Sequence, residues 1–525
     1  MTNAEVKKNV VTSAASGYVR LLVRMGLGLV TFRLLYQGLT PEQFGFWSLL
    51  WAIFGYGILL DFGFGYAAQK RVAELMVRQD WQSLSRVLST IFFFYLIGAA
   101  IAVGLGLILS GPLISVFQVS SDHREEFRQI LMLFLVGIGL AFPLGIFPEV
   151  LQGQQRIALA NNLNILSTVA NFAGVAVVVG FNLGFTTLVV VSLLCIIIPY
   201  GWAAHRCFDR MPGVVIRPSL FSRRTMLETG KFSLFAYANT LSNVLRNKAD
   251  QPIISTLLGV TAIAPYQTGS KVGEMFGQLT RQIADVLSPT AAHLHARGDR
   301  EALREMLVNG MRFSVLAATP LYIVSAAYMD GVIRLLTGVQ EPSTGMIWAG
   351  ELLLFWYYSL VLTHWVYKRM FMMAGQERRM MLQGVIEAAV NVVLSITLTL
   401  WMKSYLGVAW GSVIPTVVFG WVVIWGWAAK EIGVGRWELF RRVVLRTWIG
   451  AVPMIATAAT FRLQPWWPSG SRTILVLLEA GVVLAVGAAG LWQLGLTPKE
   501  RRSLAEKLTT RFSRRVGVAK RGQPA

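Results

Sequence analysis

Gln267, Lys271, Glu274, Gln278, Arg281 and Asp285 follow one another at alternating steps of four and three residues through an otherwise apolar stretch. That spacing puts all six on one face of a helix, and such a face cannot meet lipid. Asn239, Asn243, Arg246 and Asp250, with the helix-breaking Pro252 just beyond, repeat the pattern, as do Asn161, Asn164, Thr168 and Asn171, and Gln383, Glu387 and Asn391. Near the start of the chain Arg20 and Arg24 share a face with Thr31, while Arg33 lies about half a turn round. Three arginines in one span cost roughly 7 to 10 kcal/mol against about 3 to 6 recovered from its apolar residues, so this helix needs a wet, protein-lined cavity or an interface.

Cations and carboxylates in such a cavity can bind an anion, neutralise each other or carry coupled ions. The binding candidates are Arg20, Arg24, Arg246, Lys248, Lys271 and Arg281, with Asn243; the ion-coupling candidates are Asp61, Asp250, Glu274 and Glu387. A slight excess of cations suits an anionic cargo. Helical spacing also allows the pairs Arg246 with Asp250, Lys271 with Glu274 and Arg281 with Asp285, which would serve only to make insertion tolerable. Arg24 and Arg246 fall at near-equivalent depth, whereas Arg33 reads as a snorkelling anchor, and Glu149, Glu351, His364 and Glu479 read as interfacial groups close to span ends. Gly230-Lys231 lacks the surroundings of a phosphate-binding loop, and Cys195 and Cys207 offer no metal site. No cofactor or metal is expected, which leaves the membrane potential, protons, Na+ or an external motor as the source of drive.

The elements that position these residues are membrane spans. Of 525 residues 54% are hydrophobic and 14% charged, and mean hydropathy is +0.55. About fourteen apolar windows of near-spanning length run from 16–36 to 473–496. The net charge of +21 does not indicate nucleic acid, because thirty-four of the 48 Lys and Arg residues fall in the termini and alternate loops and six in the opposite loops. That asymmetry places both termini in the cytoplasm. The first apolar segment carries arginines and reads as a retained helix, with no signal peptide.

A repeat organises the spans. Arg78-Gln79-Asp80 and Leu84 meet Arg297-Gly298-Asp299 and Leu303; Gly38-Leu39-Thr40 meets Gly259-Val260-Thr261; Gly153-Gln154 meets Gly375-Gln376; Leu183-Gly184 meets Leu406-Gly407. Six spans per copy relate the halves by an axis along the membrane normal. The expected fold is an all-α polytopic membrane protein of two pseudo-symmetric six-helix lobes plus two extra C-terminal helices. Its boundaries are 1–207 and 225–430 for the lobes, 208–224 for a cytoplasmic linker, 431–496 for spans thirteen and fourteen, and 497–525 for a basic cytoplasmic tail.

Leu39-Thr40-Pro41-Glu42-Gln43-Phe44-Gly45-Phe46-Trp47, Leu60-Asp61-Phe62-Gly63, the Gly153-Gln154 exit from the fourth span and the Asp250 region carry a resemblance. The chain resembles the polysaccharide transporter, or O-antigen flippase, family of the multidrug, oligosaccharidyl-lipid and polysaccharide exporter superfamily. The resemblance implies alternating access between two lobes in a V, a bacterial inner-membrane location, and translocation of an undecaprenyl-diphosphate-linked oligosaccharide to the outer leaflet. It implies a lipid-linked substrate and membrane lipid as partners, with a polymerase or export machinery as further candidates. It also carries a diphosphate-contacting role onto Arg20, Arg24 and Arg246. The alternatives are a cation-coupled multidrug exporter of the same superfamily and, with less support, a membrane polymerase or glycosyltransferase; the absence of Asp-x-Asp and of a large outer loop weighs against the enzyme.

Overall fold

The computed structural model describes residues 3–57, 61–231, 241, 242, 244–246, 248–373, 375–463, 473–498 and 500–502. Every element among them is helical. The first half contains α1 (Asn3–Gly38), α2 (Pro41–Tyr56), α3 (Phe64–Arg78), α4 (Trp81–Ile108), α5 (Ser110–Val116), α6 (Arg124–Leu144), α7 (Ile146–Gly153), α8 (Ile157–Gly180) and α9 (Phe185–Phe208). After α10 (Arg223–Lys231), the second contains α11 (Asp250–Leu258), α12 (Ile263–Ala296), α13 (Arg300–Ala327), α14 (Met329–Thr337), α15 (Thr344–Thr363), α16 (Trp365–Met373), α17 (Glu377–Met402), α18 (Leu406–Val418) and α19 (Trp425–Ile432). The chain continues with α20 (Arg436–Phe440), α21 (Arg446–Leu463) and α22 (Thr473–Gly490).

Among the described residues ten helical segments are long and apolar enough to cross a membrane. The expected first, second, seventh and eighth spans are not among them. α1 and α12 carry the charged residues, α2 stops after 16 residues, and much of the seventh span, including Asn239 and Asn243, lies outside the described residues. Charged residues of α1 and α12 reach the interior, so the low hydropathy of these two helices reflects what they face.

The repeat has a local physical basis. Gln79 at φ 55° and Gly298 at φ 72° reverse the chain through the left-handed region, and Asp80 and Asp299 then cap α4 and α13 by accepting from Ser83 N–H at 2.9 Å and Ala302 N–H at 3.0 Å. Helix pairings recur too: α4 with α6, α6 with α9, α8 with α9 and α1 with α8 have counterparts in α13 with α15, α15 with α18, α17 with α18 and α11 with α17. One sequence match is not structurally equivalent. Gly184 sits in an open turn at φ +89°, whereas Gly407 lies inside α18 against the backbone of Leu398 and Thr399.

Packing differs between the two ends of the bundle. A single apolar cluster runs through both halves at the end carrying the α1–α2 turn, joining Phe44, Phe46, Trp47 and Phe185 to Ile254, Val260, Tyr266 and Leu353. Toward the other end it divides into one cluster around Leu84, Leu88 and Phe147 and another around Leu307, Val366 and Val443. Contacts between halves gather at the first end, where α2 meets α11, α12 and the turn 260–262, and α1 meets α14. Gln118 Nε2 donates to the Thr256 carbonyl at 2.7 Å, and Arg33 Nη1 donates to the Leu335 carbonyl at 2.6 Å. Arg33, expected to be a lipid-facing anchor, is thus a tie between the halves.

Candidate functional site

Two adjoining chambers occupy the cleft. The larger, about 520 Å³, is lined by Arg24 and Thr31 of α1, Trp47 and Trp51 of α2, Thr168 and Asn171 of α8, and Lys248 and Lys271. The smaller, about 290 Å³, lies within the second half and is lined by Arg246, Asp250, Arg281, Asp285, Lys368 and Arg369 together with Tyr357 and Trp365. Lys248, Gln251, Gln267, Glu274 and Gln278 border both. All six residues of the α12 stripe therefore reach the cleft, because steps of three and four hold one face of a straight helix along its length.

In the larger chamber Arg24 is exposed and Lys271 Nζ lies 3.3 Å from Glu274 and 5.9 Å from the centre of the Phe32 ring. Arg24, Lys248 and Lys271 against the single Glu274 leave an excess of positive charge on the wall. The short side chains opposite, Thr168 and Asn171, supply hydroxyl and amide groups without filling the space. Such a surface can hold phosphate oxygens through a guanidinium fork and ammonium charges.

The smaller chamber is backed by a buried charge network. Glu387, fully buried on α17, receives Gln383 at 2.6 Å, Thr416 at 3.2 Å, Arg246 at 3.3 Å and Lys368 at 3.4 Å, with His364 Nε2 at 3.2 Å. Trp356 Nε1 donates in turn to Thr416 at 2.8 Å. Burial of a carboxylate is tolerable because it is surrounded by cations and donors. Glu387→Ala leaves Arg246 and Lys368 without that carboxylate, a change worth about 3 to 5 kcal/mol for a broken buried pair. The expected result is strong loss of folded protein from the membrane, read by immunoblot and by the monodisperse fraction after extraction.

Several placements differ from the sequence reading. Arg24 and Arg246 open on different chambers, and Arg20 is exposed but lines neither. Of the three intrahelical pairs only Lys271 with Glu274 forms; Arg246 pairs with Glu387, and Asp285 with Arg369 at 2.7 Å. Gln383, Glu387 and Asn391 do not face water: all are buried, and Asn391 donates to Ser412 Oγ at 3.0 Å, tying α17 to α18. Asp61 caps α3 through Gly65 N–H at 2.9 Å and accepts from the Tyr95 hydroxyl, outside both chambers. Asp250, 7% exposed, accepts from the Tyr266 hydroxyl. His364 is buried against Glu387, and Glu479 is buried as well, so neither is interfacial. Lys368 and Arg369, which the sequence reading did not single out because they follow the apolar run of α15, are turned back into the cleft by the fold.

Two packed helical halves around a polar cleft, with ten long apolar helices among the described residues, define a multi-pass membrane protein. The fold is similar to that of a lipid II flippase MurJ in an inward closed conformation (TM-score 0.70, 11% identity, 92% of this chain and 99% of that one). It is also similar to a multidrug resistance MATE family transporter of the MOP superfamily in an inward-facing conformation (TM-score 0.65, 15% identity, 80% of this chain and 96% of that one). A protein of Shigella flexneri named "Putative O-antigen transporter" is 20% identical over 310 residues, 58% of this chain and 70% of that protein. Residues 34–341 match the family described as "Polysaccharide biosynthesis protein", and the chain belongs to that family.

Proposed function

We propose that the chain flips an undecaprenyl-diphosphate-linked oligosaccharide from the cytoplasmic to the outer leaflet of a bacterial inner membrane by alternating access. The observation that carries this reading is the larger chamber, where Arg24, Lys248 and Lys271 outnumber Glu274 between two halves whose shared apolar cluster, among the described residues, lies at one end. An anionic diphosphate suits that wall; a cationic drug would meet like charge, which disfavours the multidrug alternative. The family and the O-antigen transporter relative support a lipid-linked glycan as cargo. On this reading the joined end is the outer one, and the cleft opens to the cytoplasm where the cargo is assembled. In reconstituted vesicles the purified protein is expected to expose a fluorescent undecaprenyl-diphosphate oligosaccharide to the opposite leaflet faster than protein-free vesicles do; equal rates would reject the proposal.

Orientation and drive follow from charge. Cysteine at Ser120 is expected to react with an impermeant reagent in intact cells and cysteine at Ser219 to stay silent; labelling at Ser219 reverses the assignment. Moving negative charge outward across a potential negative inside is favourable by about 2.3 kcal/mol per charge per 100 mV. The emptied cationic cavity is drawn back by the same field, so the potential assists both half-cycles. Flipping is expected to slow when the potential is clamped at zero, and an unchanged rate would leave proton or Na+ exchange at Glu274 or Asp250 as the drive.

A further inference from the structure

The smaller chamber holds more cations than a diphosphate site elsewhere in the cleft requires. Arg246, Arg281, Lys368 and Arg369 line it, while its carboxylates, apart from Glu274 shared with the larger chamber, are Asp250, Asp285 and, behind the wall, Glu387. Asp285 is taken by Arg369, and Glu387 stands opposite both Arg246 and Lys368. Arg281 has no ion-pair partner among the described residues and is exposed to the chamber. Leaving aside Lys248 and Glu274, which border both chambers, four cations face three carboxylates, so the wall keeps one positive charge in excess. Glu387 cannot swing out to cancel it, since Gln383 and Thr416 fix its two oxygens from behind. Lys368 borders the cavity and has three N–H donors, one of which reaches Glu387.

We propose that this chamber is a second oxyanion site, taking a carboxylate on the sugar portion of the cargo, so that the transported glycan is acidic; the inference rests on the flippase reading above. The wall between the chambers is built for the intervening sugars. Gln251, bonded to Gln267 at 2.9 Å, and Gln278 keep amide atoms for hydroxyl groups there, and inside the smaller chamber Tyr357 and Trp365 offer flat apolar faces to the C–H side of a pyranose. A neutral glycan would occupy this space without meeting the excess charge.

The test is titration calorimetry on the full chain in nanodiscs, using trigalacturonic acid, neutral galactotriose and inorganic pyrophosphate as probes. Wild-type protein is expected to bind trigalacturonate about tenfold tighter than galactotriose. Lys368→Gln removes that preference and keeps pyrophosphate binding, which also verifies that the variant is folded; Arg24→Ala weakens pyrophosphate and keeps the preference. No preference in the wild type overturns the proposal. So does loss of pyrophosphate binding in Lys368→Gln, which would make the chamber a phosphate site, or equal loss of both ligands in both variants, which would make the cleft one site. If Arg24→Ala leaves pyrophosphate binding unchanged while Lys368→Gln alone removes the preference, the diphosphate assignment of the larger chamber fails and the acidic-sugar site stands.

Discussion

Valine in place of Gly45 is expected to abolish glycan export while the protein remains in the membrane near its normal level. Gly45 lies on α2 where the two halves meet, and a Cβ there would overlap the Val260 carbonyl oxygen and sit 3.0 Å from Val260 Cγ1. The obstacle is backbone, in a short turn entered through Gly259 at φ +89°, so it cannot rotate aside as a side chain would. Nor can α2 retreat, because Phe44, Phe46 and Leu49 are buried in the cluster that spans both halves. Overpacking of this kind costs about 1 to 3 kcal/mol, too little to unfold a large helical bundle and enough to shift an equilibrium between closed and open ends by about 5- to 160-fold. The shift is measurable with cysteines at Gln118 and Thr256, whose side chain and backbone meet across the same seam. Their cross-linking yield should fall in the Gly45→Val background, and Gly45→Ala should fall between. Normal cross-linking together with normal export would mean that the close approach of α2 to Val260 has no part in the cycle.

What the sequence made legible was whatever a helical period encodes. The α12 stripe reached the cleft in full because it depends on local geometry alone, and the Asp80 and Asp299 caps repeat because the same turn chemistry recurs before each helix. Pairings across the fold were not legible. Arg246 has Asp250 one helical turn away, yet its carboxylate is Glu387, 141 positions on, and nothing local indicates that choice. Lys368 and His364 follow an apolar run and carry the signature of an interface; they enter the network because α16 folds back beneath α12 and α13. The polar face of α17 has the same period as that of α12, but one meets a cleft and the other meets α18, a distinction that periodicity does not contain.

Arg24→Ala is expected to abolish export with little loss of protein. The side chain is exposed to the larger chamber, and none of the described ion pairs includes it, so its removal leaves no buried carboxylate uncompensated. Its contribution is to the cargo: a guanidinium holds phosphate oxygens through two parallel N–H donors, and removing a charge-assisted contact of that kind costs about 2 to 5 kcal/mol, or roughly 30- to 5,000-fold. Arg24→Lys keeps the charge and loses the fork, so partial export is expected. Arg246→Ala should behave differently from both. Lys368 still faces Glu387, so the network keeps a cation and the protein should persist, while export falls without vanishing if the diphosphate is held chiefly by the Arg24 chamber. Export measured by surface glycan, with immunoblots of the membrane fraction beside it, separates these outcomes. If Arg24→Ala exports normally, or fails only because the protein is lost, Arg24 is structural and the diphosphate must be held along α12 at Lys271 and Arg281, where alanine substitutions would then carry the effect.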